Sequence, residues 1–143
     1  LKEIESKLKT MKFEYMYYSQ KEKLQNSRVI IVDEVGILAD LYSYSEIAYL
    51  GAGFGAGVHS VIEPAVYENA MSFGPNFHIV DMAVSLLNNN LASVIETVED
   101  FVQFCCLLED KQKLDKIRSA IKEYILQQPL AAEKITETIF NHN

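Results

Sequence analysis

The sequence predicts an α/β domain: a mainly parallel, doubly wound sheet closed by a helical carboxyl-terminal tail. Three observations carry this. Short apolar runs alternate repeatedly with longer segments of helical periodicity. One run, Val29-Ile30-Ile31-Val32, is apolar without interruption, as strands covered on both faces are. Beyond Val98 only helical periodicity remains. Strands alternating with helices argue for parallel pairing through helical crossovers, with helices packed on both faces.

In chain order, Leu1, Ile4, Leu8 and Met11 recur at helical steps between lysines and glutamates, the pattern of an amphipathic helix. Residues 13–19 are short and aromatic-rich and favour a strand. Residues 20–27 are polar and read as a surface loop. The second strand, 28–33, is expected to be buried on both faces. Ile37, Leu38, Leu41 and Tyr42 return to helical spacing within residues 36–45. A buried strand over 47–50 runs into a glycine-rich loop at 51–57. A helix over about 60–69 leads to a short strand at 70–73, ended by Gly74-Pro75. Residues 77–88 are helical and 91–95 form a last short strand. Helices are then expected over 98–108, 111–127 and 129–140. No internal repeat or linker interrupts the chain, so one domain is expected over residues 1–143.

The chain has 143 residues, 49% of them hydrophobic and 23% charged, which is enough for one well-packed core and argues against disorder. Acidic residues outnumber basic ones 20 to 13, a formal charge of −7 that suits neither nucleic acid nor an anionic bilayer. No apolar run reaches the roughly 18 residues of a membrane span, and no signal-peptide pattern is visible. A start at Leu1, without Met and already in helical register, suggests a piece of a longer protein. Cys105 and Cys106 are adjacent, and a bridge between neighbours is strained. Their apolar-periodic setting (Val98, Phe101, Val102, Cys105, Leu108) points to packing and fits a reducing compartment.

The segment that stands out for chemistry follows the 47–50 strand. Of the chain's 6 glycines, Gly51, Gly53, Gly55 and Gly57 alternate between that strand and the next helix. Ligands of open α/β sheets bind at the carboxyl ends of the strands. Glycine lets a ligand approach the main chain, whose amides then meet an anion. The spacing matches neither a Walker loop nor the dinucleotide fingerprint, so a phosphate-binding loop and a flexible turn both stay open.

Ser60-Val61-Ile62-Glu63 fits a capping box. Alternatively Pro64 opens the helix and Glu63 sits at the junction. In either case the Glu63 carboxylate lies beside the loop, where it could accept bonds from two vicinal hydroxyls; capping and ligand roles are both open. His59 reads as a loop-lining residue, with His59 and Glu63 too few for a metal site. His78 and His142 read as solvated. The 73–77 loop should lie beside the glycine loop, and Asp33 ends its strand at the same edge, outlining one cleft.

Taken together, Asp33, Val35-Gly36-Ile37-Leu38, Tyr42, Gly51-Ala52-Gly53, the run Gly57-Val58-His59-Ser60-Val61-Ile62-Glu63-Pro64-Ala65, and Phe73-Gly74-Pro75-Asn76 resemble a known family. It is the carboxyl-terminal half of the 3-deoxy-D-manno-octulosonic acid (Kdo) transferases of lipopolysaccharide assembly. These are glycosyltransferases with two facing Rossmann-like domains, the GT-B architecture. The resemblance covers about residues 12–140, with its motifs within 28–82. Tyr17-Tyr18-Ser19 carries no Arg where the family often places a cation. Val58 and Ser60 stand for a Gly and an Asn, Ile37 for a Glu, and Ile79-Val80-Asp81 for Phe-x-Glu.

The resemblance implies a domain that binds the nucleotide sugar CMP-Kdo. Gly53, Gly55, Gly57, His59 and Ser60 would hold phosphate and Glu63 the ribose. Gly74, Pro75 and Asn76 would line the neighbouring wall, and Ser19, where the family usually has Arg-Arg-Ser or similar after the first strand, would be a further nucleotide-sugar-binding residue. It further implies that the catalytic base, the lipid A precursor acceptor surface and membrane association belong to an amino-terminal half. No catalytic residue, metal or cofactor is therefore assigned here, and no nucleic-acid partner is expected. The full-length protein would work at the cytoplasmic face of the bacterial inner membrane. A GT-B transferase for another nucleotide sugar, or a nucleotide-binding module without catalysis, remain the alternatives.

Overall fold

In the computed structural model, residues 1–23 and 27–128 are described; the helix expected over 129–140, and His142, lie outside them. Where one domain was expected, the chain divides into two compact units, Leu1–Leu38 and Ala39–Asn143.

In the first unit, the lysine–glutamate periodicity forms α1, Lys2–Thr10. Glu3 and Glu5 lie in its first turn and Lys7 and Lys9 in its last, each sign at the helix end it suits. Glu3 and Lys7 pair at 3.0 Å. The helix ends where Lys12 takes a left-handed φ of 56°, with the amides of Met11 and Phe13 returning to the carbonyls of Lys7 and Leu8. Glu5 accepts the Tyr17 hydroxyl, and that bond pushes the phenol up to about 12.

Strand β1 is Tyr15–Tyr17, followed by a 3₁₀ turn over Tyr18–Lys23; β2 is Val29–Ile31. The two pair in parallel, Tyr15 opposite Val29 and Tyr17 opposite Ile31. The strand expected at 28–33 exists but is not buried on both faces. Ile31 is buried, whereas Ile30 is 46% exposed. The cause is that among the described residues β2 pairs with β1 alone, so the uninterrupted apolar run does not mark a strand in the middle of a covered sheet.

In the second unit, β3 (Ile47–Leu50), β4 (Ala70–Phe73) and β5 (Ala92–Val94) form a parallel sheet in that order. Ile47 stands opposite Ala70, and Met71 opposite Ala92. The single sheet expected from the alternation is thus two, a pair and a triplet. All residues of the central strand β4 are buried, so here the apolar run has its expected cause. Helices α2 (Leu38–Tyr42), α3 (Ile62–Val66), α4 (Asp81–Asn88), α5 (Val98–Cys105) and α6 (Lys111–Leu126) complete the described chain. Val61, Ala65, Phe73, Ala83, Leu86 and Ile121, all fully buried, centre the core.

Asn69 explains how β3 and β4 are brought level. It is fully buried, accepts the Ser45 hydroxyl at 2.7 Å, and donates to the carbonyls of Ser45 and Tyr42 at 2.8 and 3.1 Å. Just before it, Glu68 takes a φ of 59° and stops α3 well short of the expected residue 69.

Along α5 the apolar stripe identified the helix but not its buried face. Val98, Phe101 and Val102 are exposed, and Phe104 is the residue that turns inward. Cys105 is half-buried and Cys106 exposed, both free thiols, so the packing expected of the pair holds only in part. The start of α5 is a capping box. Asp100 N–H donates to Thr97 Oγ1 at 3.1 Å, and Asp100 Oδ2 accepts from the amides of Thr97 and Glu96 at 2.9 and 3.1 Å.

These bonds, the one with Thr97 foremost, hold the Asp100 carboxyl below its usual value. A lowered folded-state value means stability that is present above the unfolded value, near pH 3.9, and lost as pH falls through the folded one. Asp100→Asn is therefore expected to lower the melting midpoint at pH 7. That deficit should shrink as pH falls into the acid range when both proteins are melted side by side.

Candidate functional site

Beyond Leu50 the chain turns through the glycine loop at the carboxyl end of β3. Ala52, at φ 66°, presents its carbonyl to the amides of Gly55 and Gly57 at 2.9 and 3.0 Å. Gly57 has a φ of 99°, a conformation that side chains disfavour. Gly53 meets Gly74, which follows β4, backbone against backbone: a Cβ on Gly53 would lie 2.4 Å from the Gly74 nitrogen. The two loops therefore lie side by side, as the parallel topology implies.

Asn76 fastens them. Its amide donates to the Gly53 carbonyl at 2.8 Å, its carbonyl accepts from Val58 N–H at 3.0 Å, and its Nδ2 donates to the Gly55 carbonyl at 3.1 Å. Sequence reasoning placed Asn76 in the wall of a ligand site; its side chain is engaged with the glycine loop itself. Pro75 between them is half-buried.

From Gly57 the chain dives inward at Val58 and Val61, 2% and 0% exposed, and surfaces between them at His59 and Ser60. Among the described residues the amides of His59 and Ser60 meet no acceptor. The Ser60 hydroxyl makes one long contact, 3.4 Å from Ile62 N–H. Neither capping arrangement is formed. Val61 is the N-cap of α3, without a side-chain cap. Pro64 is the third helical residue, where its missing N–H costs no helical bond. Glu63 is exposed and its carboxylate accepts no hydrogen bond among the described residues. Its charge is felt at Tyr42, whose hydroxyl is pushed up chiefly by burial and secondarily by Glu63.

Ser19, in the first unit, is differently engaged. Its amide and its hydroxyl donate to the two oxygens of Asp33 at 2.9 and 2.7 Å. These bonds, the hydroxyl's foremost, hold the Asp33 carboxyl below its usual value. Sequence reading singled out both residues without joining them. The signal was the strand register: Ser19 and Asp33 continue the same offset that pairs Tyr15 with Val29.

A second feature of the carboxyl edge went unread. Tyr49, Phe54, Ile95, Val98 and Phe101 line a hollow of about 300 Å³, rimmed by Glu96 and Thr97. The Tyr49 and Phe101 rings meet edge to face at 5.5 Å. His59 and His78 are exposed, and the His78 ring lies 4.1 Å from that of Phe77. Among the described residues no group of three or more His, Cys, Asp or Glu is placed to hold a metal ion. No described helix is long and apolar enough to cross a membrane.

The second unit thus offers amide donors at His59 and Ser60 and an acceptor at Glu63, four residues from His59 across the α3 start. An anion with hydroxyls attached is the ligand class this chemistry suits.

No protein-family model matches the chain. A bifunctional glycosyltransferase/methyltransferase of Fusobacterium nucleatum is 31% identical over 81% of this chain and 19% of its own length. A 3-deoxy-D-manno-octulosonic acid transferase of Chlamydia muridarum is 33% identical over 67% of this chain and 23% of its own. The chain spans no more than about a quarter of these relatives. Among solved structures, the C-terminal CMP-Kdo binding domain of WaaA from Acinetobacter baumannii superposes with a TM-score of 0.76. That match covers 89% of this chain and 68% of that one at 17% identity, a likeness of fold. The chain is thus a relative of the Kdo transferases in sequence, folded as the carboxyl-terminal half of a GT-B enzyme is.

Proposed function

We propose that this chain is the donor-binding half of a glycosyltransferase that moves Kdo from CMP-Kdo to a lipid A precursor in lipopolysaccharide biosynthesis. The observation that carries the reading is the exposed Glu63 carboxylate, three and four residues on from the unengaged amides of Ser60 and His59, after a glycine loop at a strand's carboxyl end. His59 and Ser60 would hold the phosphate, and Glu63 two ribose hydroxyls. The buried Gly53, Gly57 and Gly74 would shape the loops behind the ligand, with the exposed Gly55 and Asn76 and the half-buried Pro75 completing the wall.

The reaction is then divided between halves. A base in the amino-terminal half deprotonates the acceptor sugar hydroxyl, while amides of this half steady the charge gathering on the departing CMP. That other half would also carry the acceptor surface and the association with the cytoplasmic face of the inner membrane. By itself this chain is expected to bind donor and transfer nothing.

Titration of the chain with CMP, UMP and AMP, followed by amide chemical shifts, tests the reading. CMP is expected to move the amides of residues 53–63 and to bind more tightly than AMP. Indifference to all three nucleotides would reject the donor role. Preference for UMP would favour a second reading, a different nucleotide sugar, which the departures at Ile37, Val58 and Ser60 support.

A further inference from the structure

The charges of the second unit bear on any anion bound at its two loops. No lysine or arginine occurs between Arg28 and Lys111, so every side chain of fixed charge in that stretch is acidic. The next cations belong to α6, and its Lys122 is taken by Glu68 at 2.8 Å, ahead of β4 and so at the opposite end of that strand from the loops. The side chains of the stretch that can become positive are His59 and His78. Both are exposed, and among the described residues neither ring is hydrogen-bonded. The fold brings them onto adjoining loops. Val58, just before His59, donates its N–H to the Asn76 carbonyl at 3.0 Å. A Cβ on Gly57 would lie 3.7 Å from Cδ1 of Ile79, just after His78. One imidazole therefore stands on each loop, next to the contacts that join them. The His78 ring is backed by Phe77, whose own ring lies 5.4 Å from that of Phe73.

We propose that His59 and His78, in their protonated form, are the cationic part of this anion site, so that a nucleotide phosphodiester is bound with uptake of protons. Bare amides fill the lone pairs of a phosphate but leave its charge among acidic neighbours, and an imidazolium supplies both a donor and the opposing charge. The inference rests on the donor-binding reading above and deepens it, adding His78, which sequence reading left in solvent. The titratable groups on the surrounding elements are Glu63 on α3, Asp81 on α4, Glu96 and Asp100 at the start of α5, Tyr42 on α2 and Tyr49 on β3. Carboxyls and phenols ordinarily keep one charge state between about pH 5.5 and pH 8, whereas histidine changes its own there.

Cytidine 5′-methyl phosphate is the probe, because its phosphodiester keeps a single charge where the phosphate of CMP itself titrates near pH 6. Its dissociation constant for the full chain is measured by calorimetry from about pH 8 to about pH 5.5. Binding is expected to tighten about tenfold over that range, the change that follows a tenfold rise in one histidine's proton affinity on binding. His59→Gln and His78→Gln are each expected to flatten part of the slope and the double variant to abolish it. Melting midpoints should stay in place, since both side chains are exposed. His78→Lys, whose charge is fixed across the range, should tighten binding at pH 8; a merely structural role for His78 predicts no such gain. A slope that survives in the double variant overturns the proposal, and a slope abolished by His59→Gln alone removes His78 from the site. Binding indifferent to pH would reject this inference and leave the donor reading standing; an ester that binds at no pH would reject both.

Discussion

Gly53→Ala is expected to destabilise the chain by roughly 3 kcal/mol, the upper end of what overpacking costs. The added Cβ would lie 2.4 Å from the Gly74 nitrogen and 2.7 Å from its Cα. These are main-chain atoms, and the Gly53 carbonyl is itself tied to the Asn76 amide at 2.8 Å, so neither strand end yields cheaply. Gly51→Ala is the matched control: nothing lies within 4 Å of a Cβ there, and a change of about 0.5 kcal/mol or less is expected. Urea denaturation of the two variants decides the matter. Equal midpoints would mean that the glycines serve only as bare surface for a ligand. The expected difference makes Gly53 a packing requirement first.

Glu63→Gln should weaken CMP by about 1–3 kcal/mol, the range for hydrogen bonds that involve a charged group and leave a partner unmatched. The carboxylate is exposed and bonded to nothing among the described residues, and α3 takes its cap from Val61 without a side-chain bond. The melting midpoint is therefore expected to stay where it is. Calorimetric titration and a thermal melt on the same sample test both halves. A lowered midpoint with unchanged affinity would return Glu63 to a structural role that the α3 geometry does not support.

The sequence patterns that read correctly share a physical cause. The runs at 47–50 and 70–73 are apolar, short and bounded by turns, and they became β3 and β4 because each lies in a sheet with a packed face. The run at 29–32, Val-Ile-Ile-Val, is if anything more uniformly apolar, but a strand with one described neighbour leaves Ile30 exposed, and composition does not count neighbours. Helical periodicity located α5 and α6, yet along α5 the buried residue is Phe104 and the apolar stripe is exposed.

The capping signal misled in an instructive way. Ser60 and Glu63 have the right types and spacing, but burial of Val58 and Val61 fixes the entry angle of the chain and starts α3 at Ile62. The capping box that does form uses Thr97 and Asp100, whose shorter acid the Ser/Thr-x-x-Glu pattern overlooks. At the candidate site the glycine loop, His59, Ser60 and Glu63 were legible because residue type alone marks them. The fastening by Asn76 and the joining of Ser19 to Asp33 were not, since both depend on which loops the topology sets side by side.

That fastening by Asn76 bears on how quickly a guest is captured. A turn held from within by three bonds has surrendered its freedom during folding, so little disorder is left to quench when an anion arrives. Encounter should then need little ordering of this loop, with rates set by diffusion and charge and with residence time, not arrival, distinguishing one nucleotide from another.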